Sequence, residues 1–176
     1  MTGKVLTVRN PDFIVDGSDD DFRTMLHNIF TIHARLEGIR AVMGNQLGLT
    51  GGQWTILQTV AHLERFGDVA VKDVAEQLGQ SGAFITIEVG KLVQAGLLSK
   101  TPDPRDRRRV RLALTALTRD KLARTSPILA EVNDQIFDGL DREDFVALCR
   151  MAGKIREGSD KALVLAQYLM AASQAR

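Results

Sequence analysis

The stretch "LLSKTPDPRDRRRVRLALT", residues 97–115, alternates apolar and polar side chains at both ends and is interrupted between them by Pro102, Pro104 and a run of arginines. Alternation at period two marks a half-buried strand. "LLSKT" and "RRVRLALT" therefore predict a two-stranded hairpin with "PDPRD" in its loop. Five arginines fall within positions 105 to 111, broken only by Asp106 and Val110. Such a run can be a solvated charge run, a processing site or a surface shaped for a polyanion. The flanking sequence decides among these.

Upstream, apolar residues recur at helical spacing. "SGAFITIEVGKLVQAGLL" (81–98) predicts a helix capped by Ser81 and closed at Gly96, with Val89, Leu92 and Val93 facing inward. "VKDVAEQLG" (71–79) predicts a short helix stopped by Gly79. In "LTGGQWTILQTVAHL" (49–63), Thr50 followed by Gln53 is the capping-box pattern, and Trp54, Leu57, Val60 and Ala61 form the inner stripe. Two helices joined by a tight turn and followed by a hairpin make a winged helix-turn-helix.

Longer helices flank that core. "SDDDFRTML" (18–26) opens one, with Ser18 able to accept from a first-turn N–H and three aspartates at the positive end of the dipole. Its apolar positions, from Phe22 through Leu26, Ile29, Ile32, Leu36 and Ile39 to Met43, carry it to about Gly44. After Thr115, Leu122, Leu129, Val132, Ile136 and Leu140 share a face, with a kink expected at Pro127. A last helix starts at Asp141, with a break expected near Gly158–Ser159. The terminal faces are broad and apolar, and are expected to bury themselves against the first helix and a second subunit. The resulting division is 1–17 an extension, 18–48 an N-terminal dimerisation helix, 49–115 the winged core and 116–176 C-terminal dimerisation helices.

Composition narrows the class. The chain has 176 residues, 44% apolar and 26% charged, an ordinary globular balance. Its net charge of +1 is unevenly spread: Lys91 to Arg124 holds ten Lys/Arg against three Asp, a local +7 that leaves −6 for the rest. A concentrated basic patch on an otherwise acidic chain suggests one surface for an anionic partner. The single cysteine, Cys149, cannot form an internal disulfide, and in "FVALCRM" it is expected to be buried and inert. No signal peptide is read at the N-terminus. The longest apolar stretch, "ALVLAQYLMAA" (162–172), falls short of the roughly 20 residues that a spanning helix needs. A cytoplasmic, non-membrane protein is expected. No Gly-rich phosphate loop or His-Glu-x-x-His occurs, and "DGSDDD" lacks the rest of a calcium loop, so neither enzyme, cofactor nor metal site is expected.

Together "LTGGQWTILQTV", "VKDVAEQLG", "VGKLVQAGLL" and "PDPRDRRRVRLALT" resemble the MarR-type winged-helix transcriptional regulators over about residues 20 to 172. The last matches the family's wing signature through Asp106, Arg108, Leu114 and Thr115. The resemblance implies a mainly α fold with a small β-hairpin: a winged helix-turn-helix core flanked by N- and C-terminal dimerisation helices. It also implies a homodimer on double-stranded DNA at an inverted-repeat operator, with a recognition helix in each major groove and wings reaching the minor groove. A repressor released by a small, often aromatic, effector would fit it. Three positions depart from the pattern: Ile87 stands where Arg is common, Glu88 where an apolar residue is, and Thr118 where Gly is.

On this resemblance the DNA-binding residues are Ser81, Gly82, Ala83, Thr86, Ile87 and Lys91 of the recognition helix, and Arg105, Arg107, Arg108 and Arg109 of the wing. Arginine suits the task because its planar fork binds phosphate or a base edge and is drawn to a narrow minor groove. Asp106 is read as bracing the wing; Arg108 either pairs with it or enters the groove. Strand alternation would point Arg107, Arg109 and Arg111 one way and Arg108 the other. With Lys91 the only basic residue of the helix, phosphate contacts and shape readout by the wing should outweigh direct base readout. An effector pocket between the first, second and fifth helices would draw on His33, Arg40 and Trp54. Two alternatives stay open: a winged-helix module for an acidic protein partner, and a regulator switched by oxidation of Cys149.

Overall fold

The computed structural model describes residues 5–102 and 110–174. In chain order these form α1 (Asp20–Asn45), α2 (Gly51–Leu63), α3 (Val71–Leu78), α4 (Gly82–Gln94), β1 (Leu98–Pro102), β2 (Val110–Leu114), α5 (Ala116–Ile136) and α6 (Arg142–Gln174). The chain divides into two compact units, Met1–Pro127 and Ile128–Arg176, with the boundary inside α5. Pro127 lies at that boundary, where its missing N–H removes one intrahelical bond.

Local chemistry places the helix ends of the first unit. Thr50 Oγ1 accepts from the Gln53 N–H, and Gln53 Oε1 accepts in return from the Thr50 N–H, each at 3.2 Å, which starts α2 with a complete capping box. Gly79, at φ +61°, takes the left-handed conformation that ends α3 and turns the chain into α4. Ser81 then accepts from the Phe84 N–H at 3.2 Å. α1 and α2 approach closely where Gly44 and Gly51 leave room. A Cβ on Gly44 would lie 2.9 Å from the Leu49 and Thr50 carbonyl oxygens, and one on Gly51 3.0 Å from the Ala41 nitrogen.

The core is the winged helix itself. Ile56, Leu57 and Val60 of α2, Val74 and Ala75 of α3, and Ile85, Val89 and Leu92 of α4 pack with Leu97, Leu98, Leu112 and Leu114 of the hairpin region. The antiparallel strands pair Leu98 with Leu114, Lys100 with Leu112 and Pro102 with Val110. One further pairing is not visible in the sequence: the Leu112 N–H donates to the Val69 carbonyl at 2.8 Å, so the segment before α3 acts as a one-residue third strand. After the hairpin, Thr115 and Thr118 tie α5 to its base. The Thr118 hydroxyl, fully buried, donates to the Leu97 carbonyl at 2.6 Å, and the Thr115 hydroxyl to that of Gly96 at 2.9 Å.

Two expectations need correction. The first concerns Asp19, through which residues 5–19 are tied to α1. Asp19, read as one of three acids favouring the helix dipole, is fully buried and accepts from the Thr7 N–H (2.7 Å), the Thr7 hydroxyl (2.6 Å) and Arg23 Nε (3.0 Å). Arg23 also donates to the Val5 carbonyl at 2.8 Å, and Phe13 stacks on Phe22. Ser18 does accept from a first-turn N–H, that of Asp20, at 3.1 Å. The second correction concerns α6, which runs unbroken through Gly158 and Ser159. A mid-helix glycine costs only about 1 kcal/mol, and the Ser159 hydroxyl bonds back to the Ile155 carbonyl at 2.8 Å.

The Thr7 bonds and Arg23 hold the Asp19 carboxyl well below the usual carboxylate range. The sign follows from that depression: the stabilisation is complete above the unfolded aspartate pKa, about 4, and is lost as pH falls through the folded value. Asp19→Asn turns one acceptor into a donor facing Thr7. It is expected to speed hydrogen exchange at the Thr7 amide at neutral pH by on the order of tenfold, as read by NMR. Equal protection in the variant would refute the role given to Asp19.

Candidate nucleic-acid interface

α4 lies with one face in the core and the other in solvent. Ile85, Val89 and Leu92 are buried, whereas Ser81, Gly82, Ala83, Thr86, Ile87, Gly90 and Lys91 are exposed, as the helical spacing requires. Ile87 is the prominent apolar group on that outer face, 59% exposed. Its polar neighbours are partly committed inside the protein. Ser81 caps the helix, and the Thr86 hydroxyl donates to the Gly82 carbonyl at 2.7 Å. Lys91 Nζ sits 2.6 Å from Glu88 Oε1, and Glu88 Oε2 accepts from Gln53 Nε2 at 3.1 Å. That contact with Lys91 and, more weakly, the Gln53 amide hold the Glu88 carboxyl below its ordinary range, against the opposing effect of burial. The helix therefore presents a small, largely uncharged surface.

Beside it, β1 and β2 carry the connection that contains the arginine cluster. Arg105, Asp106, Arg107, Arg108 and Arg109 lie outside the described residues. Arg111, the fifth arginine, stands in β2 and is paired with Asp68 at 2.7 Å. At the other end of β2, Glu64 accepts from the Leu114 N–H at 3.0 Å and meets Arg119 at 2.9 Å. The base of the hairpin is thus clamped to the end of α2, the segment after it and the start of α5.

A separate cavity of about 440 Å³ opens between α1, α2 and α3, lined by Arg40, Trp54, Gln58, Thr59, His62 and Gln77 among others. It brings together two of the three residues expected of an effector pocket, Arg40 and Trp54. His33 is exposed on α1 and is not among the lining residues; His62 supplies the imidazole instead. The sequence offers a signal for this, since His62 follows Trp54 and Gln58 by whole turns of α2 and so shares their face. The lining also comes from α3, through Gln77 and Leu78, where the fifth helix was expected. Arg40 is paired along α1 with Glu37 at 2.5 Å.

The comparisons with known proteins bear on the same core. The model of the MarR family matches residues 47–109, from just before α2 into the arginine cluster. Over that segment the chain is similar to the MarR family's winged helix. Among solved structures, the MarR/EmrR family transcriptional regulator of Acinetobacter sp. ADP1 superposes with a TM-score of 0.68 at 18% identity, over 79% of this chain and 96% of that one. BpsR of Bordetella bronchiseptica, whose DNA binding is regulated by 6-hydroxynicotinic acid, gives 0.60 at 24% identity, over 74% and 91%. MepR of S. aureus, solved as a DNA complex, gives 0.63 at 17% identity, over 75% and 96%. At these identities the likeness is one of fold. No curated protein matches the chain.

Within this winged helix the three departures from the MarR pattern have local explanations. Thr118 fits where Gly is common because its hydroxyl finds the Leu97 carbonyl and contacts Thr115 at 3.1 Å, so a buried polar group is satisfied. Glu88 fits an apolar position because Gln53 and Lys91 take up its two oxygens. Ile87 simply projects outward. Cys149 corrects an expectation: it is exposed, because none of the residues of α6 is buried in the single chain. Burial there was inferred from apolar neighbours, but Phe145, Val146, Leu148 and Met151 around it are themselves exposed.

Proposed function

We propose that this protein is a sequence-specific DNA-binding transcriptional regulator, acting as a homodimeric, cytoplasmic repressor that a small, often aromatic, ligand releases from an inverted-repeat operator. The observation that carries the reading is the winged core: a MarR-type helix-turn-helix whose two strands frame an arginine-rich connection. In this reading α4 enters the major groove with Ser81, Gly82, Ala83, Thr86, Ile87 and Lys91 facing DNA, while Arg105, Arg107, Arg108 and Arg109 approach the backbone and minor groove. Residues 18–48 and 116–176 form the dimer. Exposed Phe30 and Ile32 of α1, and Leu163, Val164, Tyr168 and Met170 of α6, supply apolar surface for it. The cavity beside Trp54 is the effector site, with Arg40 as the cation for an acidic ligand.

The decisive experiment is a mobility shift with the DNA upstream of the protein's own coding region, paired with light scattering for mass. A retarded band that weakens steeply with salt, from a dimer, is the expected result. A dimer that leaves this DNA unshifted at low salt would overturn the reading. One observation favours a second: the only basic group of α4 is engaged by Glu88 while Phe84 and Ile87 stay exposed, a surface that also suits a protein partner. Binding to one acidic protein, with none to DNA, would select that alternative. The exposed thiol of Cys149 keeps a redox trigger testable, through loss of peroxide-induced release in Cys149→Ser.

A further inference from the structure

The charges of α4 are two, Glu88 and Lys91, and they neutralise each other across a 2.6 Å contact. The pair does not float on the surface. Glu88's side chain is 13% exposed, and its second oxygen is held by Gln53, whose own side-chain oxygen closes the capping box of α2. A relay therefore runs from the Thr50 N–H through Gln53 to Glu88 and ends on the ammonium of Lys91, which is 58% exposed on the outer side. Because Gln53 is held by the capping box of α2, its amide stays in place for the carboxylate, and Glu88 can swing away from Lys91 only by giving up that hydrogen bond. A lysine on a flexible stem would otherwise be free to reach any phosphate within its length. Here its charge is drawn back along the helix.

Resting on the DNA-binding reading above, we propose that Glu88 is a positioning residue for specificity: it masks Lys91, keeps the recognition helix electrically neutral and so suppresses attraction to DNA of the wrong sequence. Sequence-independent affinity comes from cations on phosphates, and each phosphate neutralised adds about 0.9 to the salt slope. Removing the mask adds that affinity to every duplex, right or wrong. The ratio between operator and other DNA then falls, although total binding rises. The outer face, made of Gly82, Ala83, Thr86, Ile87 and Gly90, is left to discriminate by fit and apolar contact.

The test uses the full chain and two labelled duplexes, one selected by the wild type from a random pool and one of unselected mixed sequence. Glu88→Gln keeps an oxygen for Gln53 and loses the charge. Its affinity for the mixed duplex is expected to rise severalfold at low salt, with the slope steeper by about 0.9 for each protomer bound, and discrimination to fall. Across 50 to 200 mM salt that slope corresponds to about a threefold extra loss per protomer. Glu88→Gln combined with Lys91→Gln is expected to return the slope to the wild-type value, which a merely structural role for Glu88 would not produce. If wild type binds the selected duplex while Glu88→Gln leaves the mixed-duplex affinity and slope unchanged, the masking role is overturned and DNA binding stands. If wild type selects and binds no duplex, both fall. A circular-dichroism melt confirms that the variants are folded.

Discussion

Truncating Ile85 to alanine is expected to destabilise the protein by about 2–5 kcal/mol, the range for removing a fully buried aliphatic side chain from a core that relaxes only in part. Ile85 is 0% exposed and is the first core residue that α4 contributes, among Ile56, Leu57, Val60 and Val89. Two residues on, Ile87 is 59% exposed, so Ile87→Ala should change stability by less than about 0.5 kcal/mol. The pair makes a sharp contrast on one helix: same residue type, opposite faces. Ile85→Val should fall between them, at about 0.5–1.5 kcal/mol. Urea unfolding at fixed protomer concentration measures all three, the concentration being held because association shifts apparent stability. If Ile85→Ala costs no more than Ile87→Ala, the orientation of α4 described above is wrong. Ile87→Ala, in turn, should act on DNA affinity while sparing the fold.

Which features could be read from the sequence follows from how far apart the interacting groups lie. The capping box of α2, the glycine stop of α3 and the Ser81 cap of α4 involve residues three or four positions apart, and each appears where its motif stands. The hairpin was legible mainly in its return strand, where Val110, Leu112 and Leu114 recur at period two and both leucines are buried. What stayed hidden depends on partners that only folding brings together. Gln53 and Glu88 are 35 positions apart, and Arg111 and Asp68 are 43 apart. Without the first pairing Glu88 looks like a misplaced charge. Without the second Arg111 looks like a fifth member of the wing cluster. Asp19 read as a dipole acid because its partner Thr7 lies in a stretch with no period. The sequence points to His33 and does not single out His62, because amphipathic spacing places a residue on a face and does not say which face borders a cavity. The apolar stripe of α6 was legible too, but a single chain offers it no cover.

Replacing Arg105, Arg107, Arg108 and Arg109 together by alanine is expected to lower affinity for operator DNA by about 1–3 kcal/mol for each arginine that touches it. Two contacts per protomer would amount to on the order of a hundredfold or more. The salt slope should flatten by about 0.9 for each phosphate contact removed. The loss should be larger than in a protein with a basic recognition helix, because α4 supplies only Lys91, already engaged by Glu88. Arg111 serves as the internal control. It lies in the same charge run but is 25% exposed and bonded to Asp68, so Arg111→Ala should reduce stability more than it reduces the salt slope. The quadruple variant should keep its melting temperature, since the core among the described residues is built mainly of leucines, isoleucines and valines. Fluorescence anisotropy across a salt series separates the two effects. A quadruple variant with wild-type affinity and slope would remove the wing from the interface and leave α4 alone to contact DNA. That helix, net neutral and faced with glycine, alanine and isoleucine, has too few cations to hold a polyanion unaided. The functional reading of this winged helix therefore stands or falls with the arginines.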